Sequence, residues 1–193
     1  MAAGEGRRLR PITERWPKPV LPIDGRPVIA TLLRELAGDG LGEVTVVTGH
    51  LAEQVEALVG DGSAFGVTVE FVRQPRADGS ADAVRRAVEA GAEPPLLVTA
   101  ADTVFTTGDI RRFADAFAAS SAPAALAYVG PGDPAPLWGL TEEVTGRLGG
   151  LDGPPYELVD AVAGLAIADI QIGKTRDLTD PLDLVQENFP YLT

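Results

Sequence analysis

Glu43-Val-Thr-Val-Val47, followed by Thr48-Gly-His50 and a helix-like run over residues 51–59, sets the pattern that decides the fold. The first five residues are short and rich in β-formers. In the run that follows, Leu51, Val55 and Leu58 fall on one face at helical spacing. The pattern then repeats. Residues 67–72, Val-Thr-Val-Glu-Phe-Val, alternate as a strand. Residues 80–90 read as a helix with Ala81, Val84, Ala87 and Val88 on its apolar side and Ser80 as its expected cap. Residues 96–99 form a short apolar strand with Asp102 just beyond its end. Residues 110–118 read as a helix, and 124–129 as an alanine-rich strand. Strands alternating with helices predict an α/β fold with a mostly parallel sheet.

Upstream, residues 26–36 read as a helix with Pro27 in its first turn and Val28, Ile29, Leu32, Leu33 and Leu36 facing inward. Downstream, residues 130–155 are rich in glycine and proline. They predict loops with short strands near 138–140 and 147–148, forming a lid or small-lobe insertion in a single domain over 1–193. Residues 157–163 read as helix, 167–172 as strand and 181–187 as a last helix. Trp16 and Trp138 are expected to pack into the core or the lid.

With 193 residues and 45% hydrophobic content, the chain is long enough to bury one core. A formal net charge of −12 argues against binding nucleic acid, whose backbone calls for a broad basic surface. The chain has no cysteine, which excludes thiolate metal sites and cysteine nucleophiles. Its only histidine, His50, excludes a histidine cluster. No apolar run reaches membrane-spanning length, and no signal-type segment opens the chain, so a soluble cytoplasmic protein is expected.

Against this acidic background, Arg7, Arg8, Arg10, Arg15 and Lys18 gather five of the sixteen basic residues within the first eighteen positions. A local positive site on a negative protein suits a small, highly charged anion such as a nucleoside triphosphate. Ala2-Ala-Gly-Glu-Gly6 supplies a turn of small residues whose backbone N–H groups can meet a phosphate. Arg8 can offer a guanidinium fork to phosphoryl oxygens, and Lys18 sits between Pro17 and Pro19, which restrain it. No Gly-Lys-Ser/Thr follows the glycines, so this is not a P-loop. A glycine loop of this kind ordinarily follows a strand, and only Met1 precedes this one.

The run Ala2-Ala-Gly-Glu-Gly-Arg-Arg-Leu-Arg-Pro-Ile-Thr13 followed by Pro17-Lys-Pro19 resembles the signature of the sugar-phosphate nucleotidyltransferases. Gly25-Arg-Pro27, Gln74 with Gly79-Ser-Ala81, Asp102, and Asp177-Leu-Thr-Asp-Pro-Leu-Asp-Leu184 extend the likeness along the chain. The resemblance implies a GT-A-like, Rossmann-type three-layer domain with a mixed, mostly parallel sheet. The family's sugar-side run has only echoes here, in Glu157 and Ala163-Gly164, which implies a reduced acceptor-side lobe. The implied reaction transfers a nucleoside monophosphate from a triphosphate, UTP or dTTP favoured, to a sugar 1-phosphate with release of pyrophosphate. The implied catalytic residues are Arg8, Lys18 and Asp102. Ala2, Ala3, Gly4, Gly6, Gln74 and Gly79 would bind the nucleotide, with Gln74 reading the base and Gly79 leaving it room. Asp102 and Asp177 would hold Mg2+. Two alternatives remain at this point. One is a cytidylyl- or guanylyltransferase for another small phosphorylated acceptor, another is a non-catalytic nucleotide-binding regulator, and a homo-oligomer is compatible with any of them.

Overall fold

The computed structural model describes residues 1–189 and residue 191. Pro22–Ile23 (β1) and Arg26–Pro27 (β2) pair as a tight hairpin turning at Asp24-Gly25. The pairing explains why the following helix, α1 (Val28–Gly38), starts two residues later than its sequence pattern predicts. Residues Ile29, Leu32, Leu33 and Leu36 of α1 enter the main core. Burying each such side chain contributes roughly 1.5–3 kcal/mol.

Next come β3 (Glu43–Thr48), α2 (Ala52–Val59), β4 (Thr68–Arg73), α3 (Ser80–Glu89) and β5 (Leu96–Thr99). The strand–helix alternation read from the sequence is therefore present, with boundaries shifted by a residue. Ser80 is a correction. The residue before the helix is Gly79, which makes no side-chain cap, and Ser80 is the first helical residue. The hydroxyl of Ser80 instead donates to Glu157 Oε2 at 2.5 Å.

Thr103–Val104 (β6), α4 (Asp109–Ala119), β7 (Ala124–Gly130) and β8 (Asp133–Leu140) follow. Here the structure differs from the expected lid over residues 130–155. Residues 133–140 form a full strand in the middle of the sheet, hydrogen-bonded to β5 on one side and β7 on the other. Pro134 and Pro136 mask it in the sequence, because proline argues against a central strand. The ladder slips between Leu126 and Ala127, an irregularity beside Pro136 that lets the strand continue. Residues expected as a strand at 147–148 begin a 3-10 turn, Leu148–Gly150, after α5 (Glu142–Thr145). The chain ends in α6 (Leu158–Ala161), β9 (Ala168–Gln171), β10 (Arg176–Asp177) and α7 (Pro181–Asn188).

β3 and β4 are parallel, as are β7 and β9, whereas β8 runs antiparallel to both its neighbours. The two sheet pieces are joined by Met1–Ala3. Ala2 N donates to Val47 O at 2.7 Å, Met1 N donates to Thr99 O at 2.6 Å, and Ala101 N donates back to Met1 O at 2.8 Å. The opening residues thus lie between β3 and β5 as a short parallel bridge. Trp16 is a further correction. It is 56% exposed, whereas Trp138 packs against the second apolar cluster.

Candidate active site

Gly4 follows the short bridge at Met1–Ala3, Gly49-His50 and Gln74 follow the parallel strands β3 and β4, and Asp102 lies just beyond the end of β5. An α/β sheet opens its ligand crevice at that edge. A cleft of about 300 Å3 lies there, lined by Ala2, Gly4, Gly6, Arg8, Lys18 and Asp102 together with Leu9, Leu178 and Thr179.

The loop that forms the cleft's rim is held from within. Gly6 has φ +61°, and a Cβ there would meet Thr13 Cγ2 at 2.9 Å, so both conformation and packing call for glycine. The buried Thr13 donates from Oγ1 to Gly6 O at 2.8 Å. His50 Nε2 then donates to Thr13 O at 2.7 Å, and Gln54 Nε2 donates to Arg15 O at 2.8 Å. Side chains from the start of α2 therefore pin the arginine-rich loop against the end of β3. His50, the chain's only histidine, is one of these pins.

Within the loop the cations divide by role. Glu5 pairs with both Arg7 and Arg10, at 2.9 and 3.2 Å, and holds its own carboxyl below the usual range through the Arg7 hydrogen bond. Arg8 is exposed, lines the cleft and has no ion-pair partner among the described residues. Lys18 lies deeper, 12% exposed. Its Nζ sits 2.6 Å from Asp102 Oδ2 and 3.6 Å from Asp177 Oδ2.

Asp102 and Asp177 meet although 75 positions separate them in the sequence. β10 pairs antiparallel with β6 so that Asp177 faces Thr103, the residue after Asp102. Asp180, not Asp177, caps α7, in a capping box with Asp183. Asp177 is thereby left to face Lys18. Two carboxylates around one ammonium are hard oxygen donors of the kind Mg2+ prefers. Among the described residues no group of three acidic or histidine side chains forms a closed metal site, so phosphate and water oxygens would complete the coordination. A second cavity of about 700 Å3 is lined by Asp177 itself. Glu35, Asp180, Asp183 and Glu187 line it against Lys174 and Arg176, an acidic excess that disfavours phosphate.

Gln74 and Gly79 stand apart from the cleft wall. Gln74 is buried beyond the end of β4. Its Nε2 donates to Gly79 O at 3.0 Å and to Asp82 Oδ2 at 2.9 Å. Asp82 also pairs with Arg85 at 2.5 Å and Arg86 at 2.7 Å. Burial pushes its carboxyl upward, but the hydrogen bonds from Arg86, Gln74 and Arg85 win and leave it below the usual value. The side-chain nitrogen of Gln74 is thus already committed, and its amide oxygen is the atom left to a ligand. The space at Gly79 is occupied by chain. A Cβ would lie 2.2 Å from Tyr156 O, and Tyr156 bonds Asp78 O and Ala81 N on either side. By contrast, a Cβ on Gly4 would meet nothing within 4 Å.

Residues 1–143 match the model of the nucleotidyl transferase family. The chain belongs to that family. It is 40% identical over 75 residues to N-acetylmuramate alpha-1-phosphate uridylyltransferase of Neisseria meningitidis serogroup B, a match covering 39% of this chain and 32% of that protein. It is 29% identical over 201 residues to a glucose-1-phosphate thymidylyltransferase of Actinoplanes, covering all of this chain and 66% of the relative. A UDP-glucose pyrophosphorylase structure from Acinetobacter baumanii superposes with a TM-score of 0.75 over 96% of this chain and 89% of that one. At 19% identity that likeness is one of fold, and it gives this nucleotidyltransferase-family chain an α/β Rossmann-like domain with a mixed sheet. Among the described residues no helix is long and apolar enough to cross a membrane.

Proposed function

We propose that this chain transfers a nucleoside monophosphate from UTP or dTTP to a sugar 1-phosphate and releases pyrophosphate. The observation that carries the reading is the convergence of Asp102 and Asp177 on Lys18, which lines a cleft with the unpaired Arg8 at its rim. The activities of the Neisseria and Actinoplanes relatives, a uridylyl- and a thymidylyltransferase, favour these two bases and an acceptor of this class.

The acceptor phosphate is already an anion at neutral pH and needs no general base. Its oxygen forms a bond to the α-phosphorus as the bond from that phosphorus to the bridging oxygen breaks. The electron pair leaves with pyrophosphate. What the protein supplies is position and charge. Backbone N–H groups of Ala3 and Gly4 and the guanidinium of Arg8 hold the β- and γ-phosphates. The Lys18 ammonium steadies charge between the α-phosphate and the acceptor phosphate. Asp102 and Asp177 hold Mg2+, which when bound neutralises charge growing on the phosphoryl oxygens and the leaving group. Gln74 faces the base edge.

Pyrophosphate release, measured with the five common nucleoside triphosphates against a panel of sugar 1-phosphates, tests the reading. Release with UTP or dTTP that depends on both sugar phosphate and Mg2+ supports it. Release that depends on another phosphorylated acceptor changes the substrate. Nucleotide binding without release would make the chain a binding protein.

A further inference from the structure

We propose that Lys18 keeps the Asp102–Asp177 pair closed to divalent cations in the nucleotide-free protein, so that cation and nucleotide enter together. The ammonium already stands where a cation bridging the two carboxylates would stand, 2.6 Å from one and 3.6 Å from the other. It is held there. Pro17 and Pro19 flank Lys18, Pro19 is buried, and the residue itself opens a 3-10 turn. A bare cation entering this pair must displace an ammonium that hydrogen-bonds a carboxylate, and it then remains beside that positive charge. Two carboxylates are its only protein ligands among the described acidic and histidine side chains, a thin set for a strongly hydrated ion.

A polyphosphate changes that balance. Its oxygens offer Lys18 a new partner and complete the cation's shell at the same moment. Arg8, without an ion-pair partner among the described residues, lines the same cleft and draws the polyphosphate to it. Lys18 then moves from the carboxylates to the phosphates while the cation takes its place. This inference rests on the proposed function only for the identity of that anion. The exclusion of cations beforehand is a property of the three side chains.

The test titrates Mn2+ into the full chain without nucleotide and follows free Mn2+ by electron paramagnetic resonance. Lys18→Gln should bind one Mn2+ at least about tenfold more tightly than the parent, because the competing charge is gone. The gain should vanish in Lys18→Gln/Asp102→Asn, and Lys18→Arg, which keeps the charge, should bind as weakly as the parent. A folded Lys18→Gln protein that binds no more tightly overturns the inference. So does a gain that survives loss of Asp102. Melting in EDTA gives a second reading. Lys18→Gln leaves two facing carboxylates, so it should melt below the parent and recover with Mn2+. Failure of Mn2+ to restore it, even where the variant folds poorly, counts against the inference. Pyrophosphate release by the parent is scored separately. Tighter Mn2+ binding by Lys18→Gln in a chain without turnover would keep this inference and remove the proposed function.

Discussion

Lys18 owes its place to the two prolines around it, and Asp102 to the end of β5. At the residue scale these positions separate chemistry from stability. Asp102 is part-exposed, caps no helix, and faces the Lys18 ammonium and the buried amino group of Met1. Asp102→Asn should lower turnover by about a hundredfold or more, as loss of charge stabilisation at a reacting phosphoryl group does. Its unfolding free energy in urea should fall only modestly, by no more than about 1 kcal/mol, because Asp177 still faces Lys18. A variant that loses activity together with more stability than that would instead make Asp102 structural. Arg8→Ala should raise the apparent KM for the triphosphate while changing stability by less than about 0.5 kcal/mol, since an exposed, unpaired arginine supports little else. An unchanged KM would remove Arg8 from the phosphate site. Arg8 and Lys18 were legible in the sequence because a cationic cluster stands out in a chain of charge −12. The reach of Lys18 to both aspartates was not, since it depends on how β10 pairs with β6.

Elements bring these residues together, and here the sequence was a partial guide. Repeated strand and helix periods foretold β3 to α4, because burial on one face leaves a readable pattern. They failed over 133–140, where the prolines argue against a strand that the ladder shift nevertheless accommodates. They also failed at Gly79. A glycine there suggested room for a ligand, yet the backbone of Tyr156 fills that space. No local pattern reports a segment arriving from 77 positions away. Gly79→Ala makes this testable. With φ +107° and Tyr156 O 2.2 Å from the added Cβ, the backbone must move. The substitution should cost about 1–3 kcal/mol in urea unfolding and loosen residues 153–158 in hydrogen exchange. An unaffected midpoint would show that the Tyr156 segment yields freely.

Across the whole molecule, the carboxyls with resolved shifts move one way. Hydrogen bonds from arginines lower Glu5 and Asp24, and Ser63 lowers Asp61. Glu53 is lowered first by its own backbone N–H and then by Arg73. Asp82 is also lowered, by Arg86, Gln74 and Arg85 against an opposing burial effect. A carboxyl whose folded value lies below its unfolded value stabilises the fold above that unfolded value. The contribution disappears as pH falls through the folded one. The ordinary values here are 3.8 for aspartate and 4.5 for glutamate, so the carboxyl contribution should be full at neutral pH and be lost as pH drops below that range. Thermal melts from pH 7 to pH 3 check this. A melting temperature that rose on acidification through that window would contradict the sign.

The pairing of β10 with β6 also dictates when the cleft can first exist during synthesis. Asp177 is delivered by a stretch made well after Lys18 and Asp102. That stretch is clasped to the hairpin near the start by Arg176 on Asp24 and by Asn188 on Gly25 and Pro22. A polypeptide still emerging from the ribosome with residues 176–188 in the exit tunnel can assemble the loop, Lys18 and Asp102, but not the second carboxylate. The proposed metal pair is therefore complete only after residues 176–188 have left the tunnel.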